Sequence, residues 1–65
     1  MLPGTHIRYT LDNLGLIGAP GTVNAGDEGE ILGPAPDDGW VWTEPDQHPG
    51  KICPAMLAMI EPVES

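Results

Sequence analysis

The sequence predicts a single all-β domain, a small and strongly bent barrel of five strands with one short helical turn near residues 54–57. Three turn signals carry this prediction, at residues 26–29, at residues 37–39 and at Gly50. Each signal opens a short apolar run that is typical of a strand. The nine glycines and eight prolines punctuate such runs, which argues against disorder.

The chain is long enough for one small core. With 65 residues, it is expected to bury about 60% of the surface that its unfolded form exposes, which leaves a stability of about a few kcal/mol. Cys53 is the only cysteine, so an internal disulfide and a cysteine-based zinc site are both excluded. Packing must therefore hold the fold, and a homo-oligomer stays open as a further source of burial.

The first part of the chain predicts two strands joined by a long loop. Residues 5–10 alternate polar and apolar side chains, which places Ile7 and Tyr9 on one face of a half-buried strand. Residues 11–25 contain glycines and a proline that would destabilise a helix. We expect an ordered loop here that folds its leucines inward, followed by a second strand over residues 28–32.

The remaining elements follow from turn chemistry and β-propensity. Residues 33–39 are predicted to form a rigid turn that ends in Asp-Gly, a frequent hairpin signal. Residues 40–43 predict the third strand and residues 51–53 the fourth. Pro54 suits a first helical position and is expected to start one helical turn before a closing strand. Local propensity also favours a longer helix over residues 54–60, which is the alternative.

Charge restricts the classes of partner. Ten acidic residues against two basic ones give a net charge of −8. Phosphate backbones and anionic membranes are bound through clustered Lys and Arg, so we expect no direct contact with nucleic acid and no membrane binding. No apolar run reaches signal-peptide length or the roughly 20 residues that span a bilayer, and we expect a soluble cytoplasmic protein.

The two tryptophans raise a question about the third strand. Period two places Trp40 and Trp42 on one face and Val41 on the other. If the tryptophan face is the core, the centre of the domain is built from two indoles. If it is the surface, the two side chains form a docking patch, because tryptophan is enriched at interface hot spots. The sequence leaves both alternatives open.

The order of elements resembles the SH3-like barrel over residues 5–63. That pattern has a long loop after the first strand, a Gly-rich turn, an acidic turn into a Trp-containing strand, and a proline and a helical turn before the last strand. In SH3 domains, the positions that match Trp40 and Pro54 line a groove for proline-rich peptides. Tyr9 is the one representative of the paired tyrosines of the first strand, and Leu57 stands where a second aromatic residue is expected.

The resemblance extends loosely to other small barrels. The Gly-rich segment at residues 26–31 resembles the hairpin of KOW barrels, many of which bind RNA or a larger protein, although its charged residues here are all acidic. The whole chain also looks like small proteins of actinobacteria and their phages. This likeness implies no activity.

We therefore predict a non-enzymatic protein-binding module or accessory subunit, with no cofactor. The predicted partner-binding residues are Trp40, Trp42, Tyr9 and Pro54. One alternative is an acidic decoy that inhibits a basic nucleic-acid-binding enzyme by imitating phosphates with Asp37, Asp38, Glu44 and Asp46. Another is a small structural component of a phage or enzyme assembly.

Catalytic and metal-binding residues are not predicted. His6 and His48 lie far apart and in no metal-ligand spacing, and the acidic turns lack the pattern of a calcium loop. Cys53 has only Lys51 nearby to activate it as a nucleophile, so we expect it to be a buried structural residue.

Overall fold

The computed structural model describes residues 2–63. Within this range it forms seven strands and one 3₁₀ helix, and no helix has the length and apolar character needed to cross a bilayer. The elements are β1 (His6–Tyr9), β2 (Leu14–Gly15), β3 (Thr22–Val23), β4 (Glu28–Pro34), β5 (Trp40–Pro45), β6 (Cys53–Met56), the 3₁₀ helix (Leu57–Met59) and β7 (Ile60–Pro62). The all-β prediction is confirmed.

Five of the strands form one antiparallel sheet in the order β6-β5-β4-β1-β7. Strands β2 and β3 pair only with each other, as a separate hairpin. In the described residues, the outer strands β6 and β7 do not pair with one another, so the sheet is not closed into a ring of hydrogen bonds.

Strand β4 lies at the middle of the sheet and bends it. Its first residues pair with β1, and nearly its whole length pairs with β5, with a register shift between Ile31 and Gly33. An extra residue of this kind bends a strand and increases its twist. The register shift is therefore expected to curve the sheet between Ile31 and Gly33.

The core lies on the inner face, where alternate residues of each strand are buried. Its apolar members are Ile7, Tyr9, Val23, Ile31, Val41, Cys53, Ala55 and Ile60. Thr43 is the one buried polar residue among those described, and every buried side-chain nitrogen or oxygen in the described range has a hydrogen-bond partner. Such satisfaction is expected of a native core, because an unpaired buried group is costly.

The predicted long loop is ordered by the β2–β3 hairpin. Val23 is buried, and Leu14 and Leu16 pack against the core, as the sequence predicts. Leu11 and Ile17 stay about half exposed instead. The loop of the hairpin is connected to the main sheet by one hydrogen bond. The Ile17 N–H donates to the carbonyl of Ile52, just before β6, at 2.9 Å.

The predicted helical turn at residues 54–57 is wrong in position. Pro54 lies inside β6, and the single 3₁₀ turn begins at Leu57. The reason is that β6 is an edge strand, where proline is tolerated because its missing N–H has no ladder partner to lose. The longer helix over residues 54–60 does not form either.

Candidate functional site

The outer face of the five-stranded sheet carries most of the residues that the sequence singled out. On β5, Val41, Thr43 and Pro45 are buried, whereas Trp40 and Trp42 on the other face are half-buried. The core therefore contains Val41 and not the indoles. The structure decides the open question about the tryptophans in favour of the outer surface.

Pairing with β6 places two further apolar side chains beside the tryptophans. Trp42 lies directly opposite Pro54, and Trp40 directly opposite Met56, which is 38% exposed. Residues opposite each other in an antiparallel pair share a face and have Cβ atoms about 4.5–5.5 Å apart. Trp40, Trp42, Pro54 and Met56 thus form one continuous surface, which we call the tryptophan patch.

The border of the tryptophan patch is set by the β4–β5 turn and the 3₁₀ helix. The Leu57 N–H donates to the Gly39 carbonyl at 2.9 Å, and the Trp40 N–H donates to the Asp37 carbonyl at 3.2 Å. Leu57 is 43% exposed, and Asp37 and Asp38 are also exposed. The 3₁₀ helix and the acidic turn therefore both lie next to the Trp40 end of the patch.

Tyr9 does not belong to this surface, which corrects the predicted partner-binding set. It is fully buried, because it shares the inner face of β1 with Ile7. The Thr43 hydroxyl donates its one hydrogen to the Cys53 carbonyl at 2.6 Å, so the Tyr9 hydroxyl must donate to Thr43 Oγ1, 2.7 Å away. Burial raises the pKa of Tyr9 to about 12.

The four acids of the predicted acidic face are split between the two ends of β5. Asp37 and Asp38 precede the strand, Glu44 lies near its end, and Asp46 follows it. Six extended residues span about 17–20 Å, so the four carboxylates do not form one array. Glu44 also has a structural role, since its Oε2 accepts the Gly50 N–H at 2.8 Å.

The other end of the outer face holds a group of charged side chains that sequence reasoning did not bring together. We call it the charged half; it consists of His6, Arg8, Glu28, Glu30, Asp46 and Glu61. His6 Nε2 lies 3.1 Å from Glu28 Oε1 and 3.7 Å from Asp46 Oδ2. Period two on β1 and β4 indicates which side chains point outward, but only the strand register decides which of them meet.

Arg8, on β1, links acids of two other strands in the charged half, β4 and β7. Its guanidinium lies 3.5 Å from Glu28 Oε2 and 3.2 Å from Glu61 Oε1. Exposed pairs of this kind contribute about 0–1 kcal/mol each to stability. Arg8 lies at Glu28 Oε2, and His6 lies at Glu28 Oε1.

The remaining candidates have structural roles. Cys53 is fully buried, and burial raises the pKa of its thiol, which disfavours the reactive thiolate. Lys51 is exposed and precedes β6. His48 Nε2 lies 3.2 Å from the Thr22 carbonyl and connects the turn after β5 to the β2–β3 hairpin.

Comparison of the chain with protein-family models, with curated protein sequences and with solved structures finds no match.

Proposed function

We propose that this protein is a non-enzymatic protein-binding module whose tryptophan patch contacts a protein partner. The observation that carries the proposal is the pairing of Trp42 with Pro54 and of Trp40 with Met56 on the outer face of the sheet. Large aromatic side chains that are half-buried by their neighbours are held in place, so their ordering adds little entropic cost to binding.

An SH3-like arrangement of the barrel is part of this proposal. Its support is the order of the elements: a first strand, a long ordered loop, a hairpin into the Trp-containing strand, and a 3₁₀ turn before the last strand. The resemblance predicts that Trp40 and Pro54 line the groove. The register favours Trp42 as the closer neighbour of Pro54, with Trp40 one pair further along the strand.

The tryptophan patch is a better candidate than an acidic decoy. A phosphate mimic made of Asp37, Asp38, Glu44 and Asp46 requires these carboxylates on one surface, and β5 separates them into two pairs. A structural component that self-assembles is the other alternative from the sequence. It would bury the same patch against a second copy of the chain.

The test is affinity capture from a nuclease-treated lysate of the source organism, at low and high salt. Wild type is compared with Trp42→Ala and with Leu11→Ala, which truncates a side chain that is 48% exposed outside the patch. The proposal expects a stoichiometric protein that is lost with Trp42→Ala and kept with Leu11→Ala at both salt concentrations. A captured protein that is retained by Trp42→Ala but lost at high salt would favour the acidic decoy instead.

Light scattering of the purified chain tests the third alternative, a structural component that self-assembles. A monomer at high concentration supports a patch that is free for another protein. A dimer that Trp42→Ala dissociates would show that a second copy of the chain occupies the patch.

A further inference from the structure

Three possible metal ligands converge at one point of the charged half. They are His6 on β1, Glu28 on β4 and Asp46 in the turn after β5, and each offers one ligand atom that lies within 4.8 Å of the other two. The side chains come from positions about 20 and 40 residues apart in the chain, so sequence spacing gives no sign of the cluster.

The main chain holds these ligands in place. Arg8 pairs with Glu28, and His6 pairs with Glu30, so His6 and Glu28 are diagonal neighbours on the same face of β1 and β4. The Asp46 N–H donates to the Glu28 carbonyl at 2.9 Å, which fixes the start of the turn beside β4. Two of the ligands therefore lie on paired strands, and the third lies in a turn whose first residue is hydrogen-bonded to β4.

The two distances from the His6 imidazole suit a tetrahedral ion. Zinc bonds to nitrogen and oxygen of about 2.0–2.1 Å place neighbouring ligand atoms about 3.3 Å apart. The Nε2–Oε1 distance of 3.1 Å and the Nε2–Oδ2 distance of 3.7 Å lie on either side of that value. One imidazole and two carboxylates leave the fourth position of the ion for water.

The surroundings also favour a divalent cation. Glu28 holds Arg8 on its Oε2 atom, so Oε1 is the oxygen that faces the imidazole. An outer partner that orients a ligating carboxylate is a common feature of metal sites. Glu30 lies beside His6 in the pairing and is exposed, which adds negative charge next to the cluster.

We propose that His6, Glu28 and Asp46 form a binding site for zinc. The imidazole distinguishes this site from a plain group of acids, because nitrogen ligands favour zinc over calcium. The site lies at the opposite end of the outer face from the tryptophan patch, so it does not depend on the proposed protein-binding function.

The test is a titration of the untagged full chain with zinc chloride, followed by calorimetry and by NMR of the histidine rings. We expect one saturable site and a shift of the His6 ring signals. His6→Ala and Asp46→Asn should each weaken binding by more than about tenfold, which is the loss that even outer partners of a ligand can cause. His48→Ala and Asp37→Asn are the matched controls and should bind zinc as wild type does.

Three outcomes would overturn the proposal. They are no saturable binding, undiminished binding by both His6→Ala and Asp46→Asn, or equal weakening by Asp37→Asn and Asp46→Asn. Calcium is titrated in parallel. Calcium that binds as tightly as zinc, with no effect of His6→Ala on either ion, would be a fourth contradicting outcome, because it would show only attraction to an acidic surface. Circular dichroism confirms that each variant is folded, and Asp46→Asn tests the site independently of any effect of His6→Ala on β1.

Discussion

Removal of the Thr43 hydroxyl is expected to destabilise the protein more than removal of the Tyr9 hydroxyl. In the buried chain of hydrogen bonds, Tyr9 donates to Thr43 and Thr43 donates to the Cys53 carbonyl. Thr43→Val keeps the shape of the side chain but leaves the Tyr9 hydroxyl and the Cys53 carbonyl without this partner. Tyr9→Phe leaves the bond from Thr43 to Cys53 intact.

The magnitudes follow from the number of groups left unpaired. Thr43→Val leaves the Tyr9 hydroxyl unpaired, at about 1–3 kcal/mol, and removes the side-chain hydrogen bond to the Cys53 carbonyl, at about 1 kcal/mol, so it should lower the free energy of unfolding by about 2–4 kcal/mol. Tyr9→Phe loses one hydrogen bond and should cost about 1 kcal/mol. In the Thr43→Val background, Tyr9→Phe removes an unpaired hydroxyl and should be neutral or stabilising.

The assay is urea unfolding followed by tryptophan fluorescence, with all four proteins in the same concentration of sucrose. The sucrose keeps a marginal variant folded, because excluded osmolytes favour the compact state. A Thr43→Val cost no larger than that of Tyr9→Phe would refute the reasoning. So would a Tyr9→Phe effect that is equal in both backgrounds.

Two further predictions concern the same inner face. The pKa of Tyr9 is about 12 in the folded protein against 10.0 for a free tyrosine, so its stabilising contribution is complete below pH 10 and is lost as the pH rises towards 12. At about 1.4 kcal/mol per pH unit, the free energy of unfolding of wild type should fall by about 3 kcal/mol more than that of Tyr9→Phe between about pH 10 and pH 12. Urea unfolding at stepped pH measures both, and an equal fall in the two proteins would contradict the raised pKa of Tyr9. Gly29→Ala would place a Cβ 2.6 Å from the Glu44 carbonyl oxygen, whereas a Cβ on Gly33 meets open space. Thermal melts should show Gly29→Ala destabilised by about 1–3 kcal/mol and Gly33→Ala close to wild type, and equal melting temperatures would be inconsistent with the close approach.

The sequence predicts the local parts of this fold well. The Asp-Gly turn before Trp40 and the strand that follows it depend on neighbouring residues, and both form, although β4 runs to Pro34 into the predicted turn and β5 runs on to Pro45. Pro54 is different, because its fixed φ suits a helix start and an edge strand equally. Its place depends on which strand of the sheet is outermost, which no local pattern contains.

The candidate site could likewise be predicted only where it depends on local sequence. Alternation along β5 places Trp40 and Trp42 together, but the burial of Val41 on the inner face is needed to assign the indoles to the surface. The same alternation already placed Tyr9 beside Ile7, which was a signal that it belongs to the core. The meeting of His6 with Glu28 requires the register of β1 on β4, and register is set by the whole sheet.

The most direct test of the protein-binding proposal is ¹⁹F NMR of the chain labelled with 5-fluorotryptophan, before and after addition of the captured partner. The chain contains two tryptophans, so two resonances report on the patch alone. We predict that both resonances shift or broaden on binding, while a ¹⁹F probe attached at position 11 in a Leu11→Cys/Cys53→Ala variant keeps its signal. Binding of the partner with both tryptophan resonances unchanged would contradict the proposed function.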